Sequence, residues 1–267
     1  MLAVRPGPRV NAFVTIPCYN EAERLNQESV RALLEDQDVH VVLVDDGSTD
    51  RTATLLRALH DEEPGRIHVV ELHPNQGKSE AARAGMRRSL ELGADIVSYL
   101  DADFSTPPRE MSRILSALDD PSIDTALGSR IRLLGSDIRR SHWKHYRGRA
   151  FATLASLALD LPVYDTQCGA KAMRASGALI DALDQPFRSR WAFDIELLDR
   201  LLSGPRAITR SRFTEVPLQS WSDVRGSKLR WTGIARAVYE VLRLAIHRRV
   251  LRSPRKSLRS QAESVIS

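Results

Sequence analysis

The chain has 267 residues, is 42% hydrophobic and 27% charged, and carries a formal net charge of +5. This is ordinary globular composition, long enough for one large domain or one domain with an appendage, and two cysteines exclude a disulfide framework. The basic balance suits an anionic partner (nucleic acid, anionic lipid or a phosphorylated small molecule) without choosing among them.

In chain order, Val10–Ile16 is a short apolar run ending at Pro17 and predicts a buried strand. Asn20–Glu35 is helical in pattern, with Leu25, Val30, Leu33 and Leu34 on one face and Asn20 as the expected cap. Val39–Val44 predicts a second strand, Arg51–His60 a helix, and Ile67–Leu72 a third strand. The loop His73–Lys78 leads into a helix through Leu92, and Asp95–Leu100 predicts the fourth strand. Pro107-Pro108 opens another helix, since proline is favoured in a first turn, and Ile123–Leu127 predicts a fifth strand. Strict alternation of strands and helices argues a mostly parallel sheet with helices on both faces, an α/β architecture whose ligands bind outside the carboxyl ends of the strands.

Three polar segments fall at those ends: Pro17-Cys18-Tyr19-Asn20-Glu21, Asp45-Asp46-Gly47-Ser48 and Asp101-Ala102-Asp103. Asp101 and Asp103, spaced i, i+2 at the end of a strand, share a face and are candidate ligands for a hard cation such as Mg²⁺ or Mn²⁺. Solvated acids at an exposed strand end are the plainer alternative. An Asp pair after the second strand is placed to accept hydrogen bonds from a ribose or base edge, and equally to close a turn and cap a helix. No G-x-G-x-x-G follows the first strand and no G-x-x-x-x-G-K-[ST] occurs, which disfavours a dinucleotide oxidoreductase or P-loop NTPase.

Together, Pro17–Glu21, Val44–Asp50, Asn75-Gln76-Gly77-Lys78 and Asp101-Ala102-Asp103 resemble the inverting GT-A glycosyltransferases of family 2. Asp165-Thr166-Gln167-Cys168-Gly169-Ala170-Lys171, Arg190–Leu198 and Gly226-Ser227-Lys228-Leu229 resemble the dolichyl-phosphate β-glucosyltransferase branch, which is close to the dolichyl-phosphate mannosyltransferases. The resemblance spans Val10–Leu229 and implies a GT-A, Rossmann-like fold, a nucleotide-diphosphate sugar donor (UDP-glucose first) and Mg²⁺ or Mn²⁺. It implies that Asp46 reads the nucleotide, with Pro17, Tyr19 and Glu21 in the same pocket. Asp45, Lys78 and Ala102 complete the expected donor contacts, and Asp101 and Asp103 hold metal and diphosphate. Where some relatives place a glutamine as a further metal ligand, this chain has Ser105.

On the acceptor side, Arg130 offers a planar fork suited to phosphate. The stretch Arg130–Arg149 is rich in Arg and Lys, interleaved with Trp143 and Tyr146, and nearly free of acids, which favours an anionic partner over a bland solvated face. A nucleic acid is not expected, because aromatics make up only 6% and Asp-rich strand ends repel a phosphate backbone. Ala150–Leu159 predicts a short apolar helix, packed in the core or touching a membrane, and Cys168 reads as a small buried residue. The resemblance puts Asp165 near the anomeric carbon. A polyprenyl phosphate nucleophile needs little base, whereas an alcohol requires a carboxylate, for which Asp165, Asp194 and Glu196 are candidates. Asp194 and Glu196 also fall at a predicted helix N-terminus, where the dipole favours acids. Phe213–Leu218 predicts another strand, and Lys228 sits in a Gly-containing loop suited to a diphosphate or lipid phosphate.

Trp231–Leu251 has apolar residues at helical spacing among many arginines, a basic amphipathic helix that packs on the core or on an anionic membrane. The expected organisation is a domain over 1–229, with a nucleotide-sugar half at about 10–128 and an acceptor half at about 129–229, followed by a helix and basic tail over 230–267. Met1–Arg9 lacks an apolar h-region and no run reaches the about 18 apolar residues of a spanning helix, so a cytoplasmic protein, peripheral on the inner face of the cytoplasmic membrane, is expected. The expected function is inverting transfer of a hexose to a polyprenyl or dolichyl phosphate, with a soluble sugar or alcohol as the alternative acceptor and binding without turnover as a more distant one.

Overall fold

A computed structural model describes residues 10–139, 152–189 and 192–223. The expected alternation is present in the first half: β1 (Ala12–Cys18), α1 (Gln27–Leu33), β2 (Val39–Asp45), α2 (Thr52–Glu62), β3 (Ile67–Glu71), α3 (Lys78–Glu91), β4 (Ile96–Leu100), α4 (Pro108–Ser116) and β5 (Thr125–Ser129). There follow β6 (Asp137–Arg139), a helix α5 over 152–159, β7 (Ala170–Arg174), α6 (Gly177–Asp184), α7 (Phe193–Ser203), β8 (Phe213–Pro217) and β9 (Ser220–Ser222).

Seven strands form one sheet in the order β3-β2-β1-β4-β7-β5-β8, and β6 and β9 form a separate parallel pair. All neighbours in the large sheet are parallel except β7, which runs antiparallel to both β4 and β5. The sequence pattern does not reveal β7, because Ala170-Lys171-Ala172-Met173 shows neither a β-branched run nor clean alternation.

Helices cover both faces. On one, Val30 and Leu33 of α1, Leu56 and Leu59 of α2, and Met111 and Ile114 of α4 pack against Val14, Ile16, Val41 and Leu43. On the other, Ala81, Ala82 and Met86 of α3, Leu179 and Leu183 of α6, and Phe193 and Leu197 of α7 pack against Phe13, Val42, Val44, Val97 and Tyr99. Each buried aliphatic or Met side chain contributes about 1.5–3 kcal/mol relative to exposure. Leu127 and Ala155 join Leu159, Ile195 and Leu198 in a third cluster beneath α5 and α7, so within the described residues α5 packs one face on the core.

Two local expectations are corrected. The first helix starts at Gln27, and its cap is Asn26, whose side chain accepts from the Ser29 N–H; Asn20 lies in a loop with φ of 52°. Strand β1 continues through Pro17 to Cys18. Its ladder to β4 stops at Thr15↔Tyr99 while that to β2 runs on to Cys18↔Asp45, so Pro17 sits where β1 is an edge on one side and a missing N–H is tolerated. The boundary near 229, the basic residues 140–149 and the helix expected over Trp231–Leu251 lie outside the described residues.

On the α3 face, Phe13, His40 and His68 stack across β1, β2 and β3, with centroids 4.5 Å apart for Phe13–His40 and 6.0 Å for His40–His68. Burial lowers both imidazole pKa values, helped by Arg66 at His40 and by His40 and Arg88 at His68. The unfolded chain therefore binds more protons at these two sites, and the stability they confer is present above about pH 6.5 and lost as pH falls through the depressed native values. The melting temperature is expected to fall between pH 7.5 and 5.5, and to fall less in His40→Phe, which keeps the stack but cannot be protonated; thermal unfolding at the two pH values checks this.

Candidate active site

The carboxyl ends of β1, β2, β4 and β5 and the start of β7 meet at one end of the sheet, where Cys18 pairs with Asp45 and Leu100 with Ala170. The first wall is built by the loops after β1 and β2. Asn20 accepts the Thr49 N–H at 2.9 Å and donates its own N–H to Ser48 Oγ at 3.0 Å, while the Glu21 N–H donates to Thr52 Oγ1 at 2.8 Å. Tyr19 is left 38% exposed at this rim. Pro17 is the penultimate residue of β1, and Glu21 pairs with Arg24 at 3.5 Å.

Asp45 and Asp46 have separate jobs in this geometry. The buried Asp45 carboxylate accepts from the Ser48 N–H and closes the turn that follows β2. Asp46 is 2% exposed; its Oδ1 accepts the Gln76 N–H, and its Oδ2 accepts the Gly77 N–H and Asn75 Nδ2, each at 2.8 Å. Asp46 therefore clamps the loop that carries Lys78. Gly47, at φ of +66°, is required at this junction, since a Cβ there would stand 2.7 Å from the Asn75 nitrogen.

Strand β4 stops at Leu100, and the acids sit on the turn beyond it, closed by the Phe104 N–H to the Asp101 carbonyl at 3.1 Å. Asp101 and Asp103 thus lie on a turn just past the strand end, and Phe104 holds a left-handed φ of 48° where the turn closes. Ala102 is buried between them. Asp103 Oδ1 accepts the backbone N–H of Ser105 at 2.9 Å, which is what Ser105 contributes here. Asp101 backs onto Gly169: its N–H donates to the Gly169 carbonyl at 2.9 Å, and a Cβ on Gly169 would fall 2.2 Å from the carboxyl group. The Lys78 ammonium stands 2.5 Å from Asp101 Oδ1. Desolvation opposes that ammonium, but Asp101, Asp194 and Asp103 outweigh it and hold its pKa above the ordinary lysine value.

Across the cleft, Arg130 grips Asp165 with a planar fork, Nε to Oδ2 at 2.6 Å and Nη2 to Oδ1 at 2.8 Å, and adds its backbone N–H at 3.1 Å. Both side chains are largely buried, and the guanidinium lies 5.4 Å from the Trp221 ring centroid. Burial works against the Arg130 charge, but Asp165 keeps its pKa above the usual value. Glu215 of β8 accepts the N–H groups of Tyr164 and Asp165 at 2.8 and 2.9 Å, fixing the loop from behind.

The last residue of the Asp165–Lys171 segment, assigned no role of its own from the sequence, lies beneath these groups. Lys171 of β7 is fully buried, and its Nζ donates to Asp194 Oδ1 at 2.8 Å, Tyr99 Oη at 3.0 Å and the Cys168 carbonyl at 2.6 Å. Burial pushes Lys171 down to about 8 and Asp194 up to about 7, the latter against the pull of Lys78. In the sequence Lys171 stands at the end of the Asp165–Lys171 motif, as a lone lysine inside the small apolar run Gly169–Met173. Glu196, one turn into α7, accepts from the Ser189 N–H and from Arg200 and so orders the preceding loop. Cys168 is buried, and burial raises its thiol pKa. Lys228 lies outside the described residues.

Among the described residues no group of three or more His, Cys, Asp and Glu is arranged to hold a metal. Asp101 Oδ1 is buried and, among the described residues, has no polar partner besides the Lys78 ammonium, and Asp103 is close enough to act on the same ammonium. A hard cation bound through one or two carboxylates and completed by phosphate oxygens and water needs no more than this, so the residues present fit a cation shared with a ligand's phosphates.

These charged side chains gather at the carboxyl end of an α/β sheet. The chain belongs to glycosyl transferase family 2, whose model matches residues 13–178, and it is a glycosyltransferase. It is 30% identical over 252 residues to the polyprenol monophosphomannose synthase of Mycolicibacterium smegmatis, covering 94% of this chain and 92% of that protein. It is 28% identical over 243 residues to a dolichyl-phosphate beta-glucosyltransferase of Dictyostelium discoideum, covering 84% and 70%. In fold it is similar to glucosyl-3-phosphoglycerate synthase of Mycobacterium tuberculosis crystallised with Mn²⁺, UDP-glucose and phosphoglyceric acid, with a TM-score of 0.64, 19% identity and coverage of 92% and 86%. No described helix is long and apolar enough to cross a membrane.

Gly169→Ala is expected to displace the Asp101 carboxylate and to lower turnover at least about 100-fold, with a stability loss of about 1–3 kcal/mol from overpacking; activity measured beside thermal unfolding separates the two effects. Asp165→Ala leaves the buried Arg130 guanidinium unpaired and is expected to cost about 3–5 kcal/mol, read by urea unfolding.

Proposed function

We propose that the chain transfers a hexose from a nucleotide-diphosphate sugar to the phosphate of a polyprenyl or dolichyl lipid, inverting an α-linked donor to a β-linked product. UDP-glucose is the first donor to test. GDP-mannose is the second, because the relative aligned over nearly its whole length is a monophosphomannose synthase.

The observation that carries the phosphate acceptor is the state of the carboxylates. Both Asp165 oxygens accept from Arg130, Asp194 accepts from the Lys171 ammonium, and Glu196 accepts from Arg200 and a backbone N–H. Both Asp165 oxygens are occupied by the Arg130 fork, so no carboxylate stands ready as a base there; Asp194, which burial raises to about 7, is the carboxylate that an alcohol acceptor would have to use. The occupied Asp165 suits a nucleophile already ionised at neutral pH, as a phosphate monoester is, over an alcohol that must be deprotonated.

In this reading Tyr19, Pro17 and Glu21 line the nucleotide side, Asp45 and Asp46 hold the turn and loop that shape it, and Lys78 turns its charge to the diphosphate. Asp101 and Asp103, on either side of Ala102, would hold Mg²⁺ or Mn²⁺, which when bound would supply positive charge near the departing diphosphate. Asp165 is a positioning residue that aims Arg130 at the acceptor side, and Asp194 closes the sugar side from α7. Lys228 is assigned to the phosphate-gripping loop from sequence alone. Catalysis then consists mainly of alignment and fixed charge around an in-line displacement at C1.

Turnover with Mg²⁺ or Mn²⁺ in the presence of a short polyprenyl phosphate tests the proposal. Lipid-dependent UDP or GDP release, with an acid-labile glycolipid product, is expected. Release that ignores the lipid phosphate and needs a soluble alcohol or sugar would overturn the acceptor assignment. Asp103→Ala is expected to lower the cation-dependent rate by at least about 100-fold; an unchanged rate would remove it from the cation site.

A further inference from the structure

The Lys78 ammonium lies 2.5 Å from Asp101 Oδ1, a buried oxygen with no other polar partner among the described residues. A divalent cation bound to that oxygen at about 2.0–2.6 Å would lie within about 5 Å of Nζ, so the two positive charges compete for one seat. Lys78 has no helix-stabilising reason to be there. It is the first residue of α3, where the dipole disfavours a cation, and Glu80 supplies the favourable acid in the same turn.

The two partners differ in freedom. Asp101 is held by the hydrogen bond to Gly169 and by that glycine packed against its carboxyl group. Lys78 has a fixed backbone, because the Asp46 clamp holds the Gln76 and Gly77 N–H groups, but its side chain is 48% exposed on a flexible four-carbon stem. Asp194, held by Lys171 at 2.8 Å, is a second anion that acts on the Lys78 charge.

We propose that Lys78 is a resident counter-cation of Asp101: it holds the seat against a free divalent cation, and the donor's diphosphate draws it off, so that cation and donor enter together. The inference rests on the reading of Asp101 and Asp103 as the cation-holding carboxylates. It adds a positioning function to Lys78 and makes metal affinity depend on the nucleotide.

The experiment is Mn²⁺ binding followed by the electron paramagnetic resonance of free Mn²⁺, with no turnover involved, for the wild type, Lys78→Met and Lys78→Arg, each with and without UDP. Lys78→Met keeps the stem at a half-exposed site, and circular dichroism controls for its fold. Lys78→Met is expected to bind Mn²⁺ alone on the order of tenfold more tightly than the wild type, and to gain less from UDP than the wild type gains. Lys78→Arg keeps the charge and is expected to behave as the wild type. Wild-type binding of Mn²⁺ with UDP, but no gain in Lys78→Met without it, overturns the proposal and leaves the cation assignment standing. An equal gain in Lys78→Arg overturns it too, since the charge is then not the cause. No Mn²⁺ binding by any form, with or without UDP, overturns both this proposal and the cation assignment.

Discussion

The buried ammonium of Lys171 is the contact on which the rest of the site depends. A fully desolvated cation is tolerated only if its donors are satisfied and a counter-charge is near. Here the acceptors are Tyr99 on β4, the Cys168 carbonyl in the loop before β7, and Asp194 on α7. One charge thus pins a central strand, the inserted antiparallel strand and a helix packed on the Tyr99 face to a common point. The turn bearing Asp101 follows directly after Tyr99 and Leu100, and the loop bearing Asp165 leads directly into Cys168 and Gly169, so both inherit their position from it.

This coupling explains why the cleft can be strongly charged and still well defined. Its acids and bases are paired in series across the floor, Lys171 with Asp194 and Lys78 with Asp101, with Arg130 and Asp165 on the far wall. Bidentate geometry at Arg130 and the close packing of Gly169 on Asp101 remove the freedom that long charged side chains usually keep.

Much of the architecture was legible in the sequence. Periodicity identified the first five strands and their helices, and the Asp-rich segments fell at the carboxyl ends of strands as α/β sheets require. The proline at the start of α4 marked its first turn. What escaped was set by tertiary contacts. Strand β7 has a weak local pattern because a lysine occupies its centre, and that lysine makes sense only once Asp194 and Tyr99 are beside it. Asn20 looked like a cap because caps favour that residue type, but its left-handed backbone and its bonds to Ser48 and Thr49 knit two loops instead. For Asp46, the residue type alone left a turn and a binding role equally open; its engagement with residues 75–77 depends on a loop some thirty positions away.

The antiparallel strand also orders the assembly of the molecule in time. Strands β1 to β4 pair with one another and use only residues up to Leu100, so that half of the sheet can form from a growing chain in sequence order. Strand β5 is different: its neighbours in the sheet are β7 and β8, both made later, and it forms no ladder with β4. It must wait through the whole stretch to Arg174 before it has an edge to join, a long loop closure of the kind that slows folding. The Asp101 turn is therefore complete in chain before the wall that faces it, and β7, arriving with Gly169 at its head, closes the sheet and seats Asp101 in the same event.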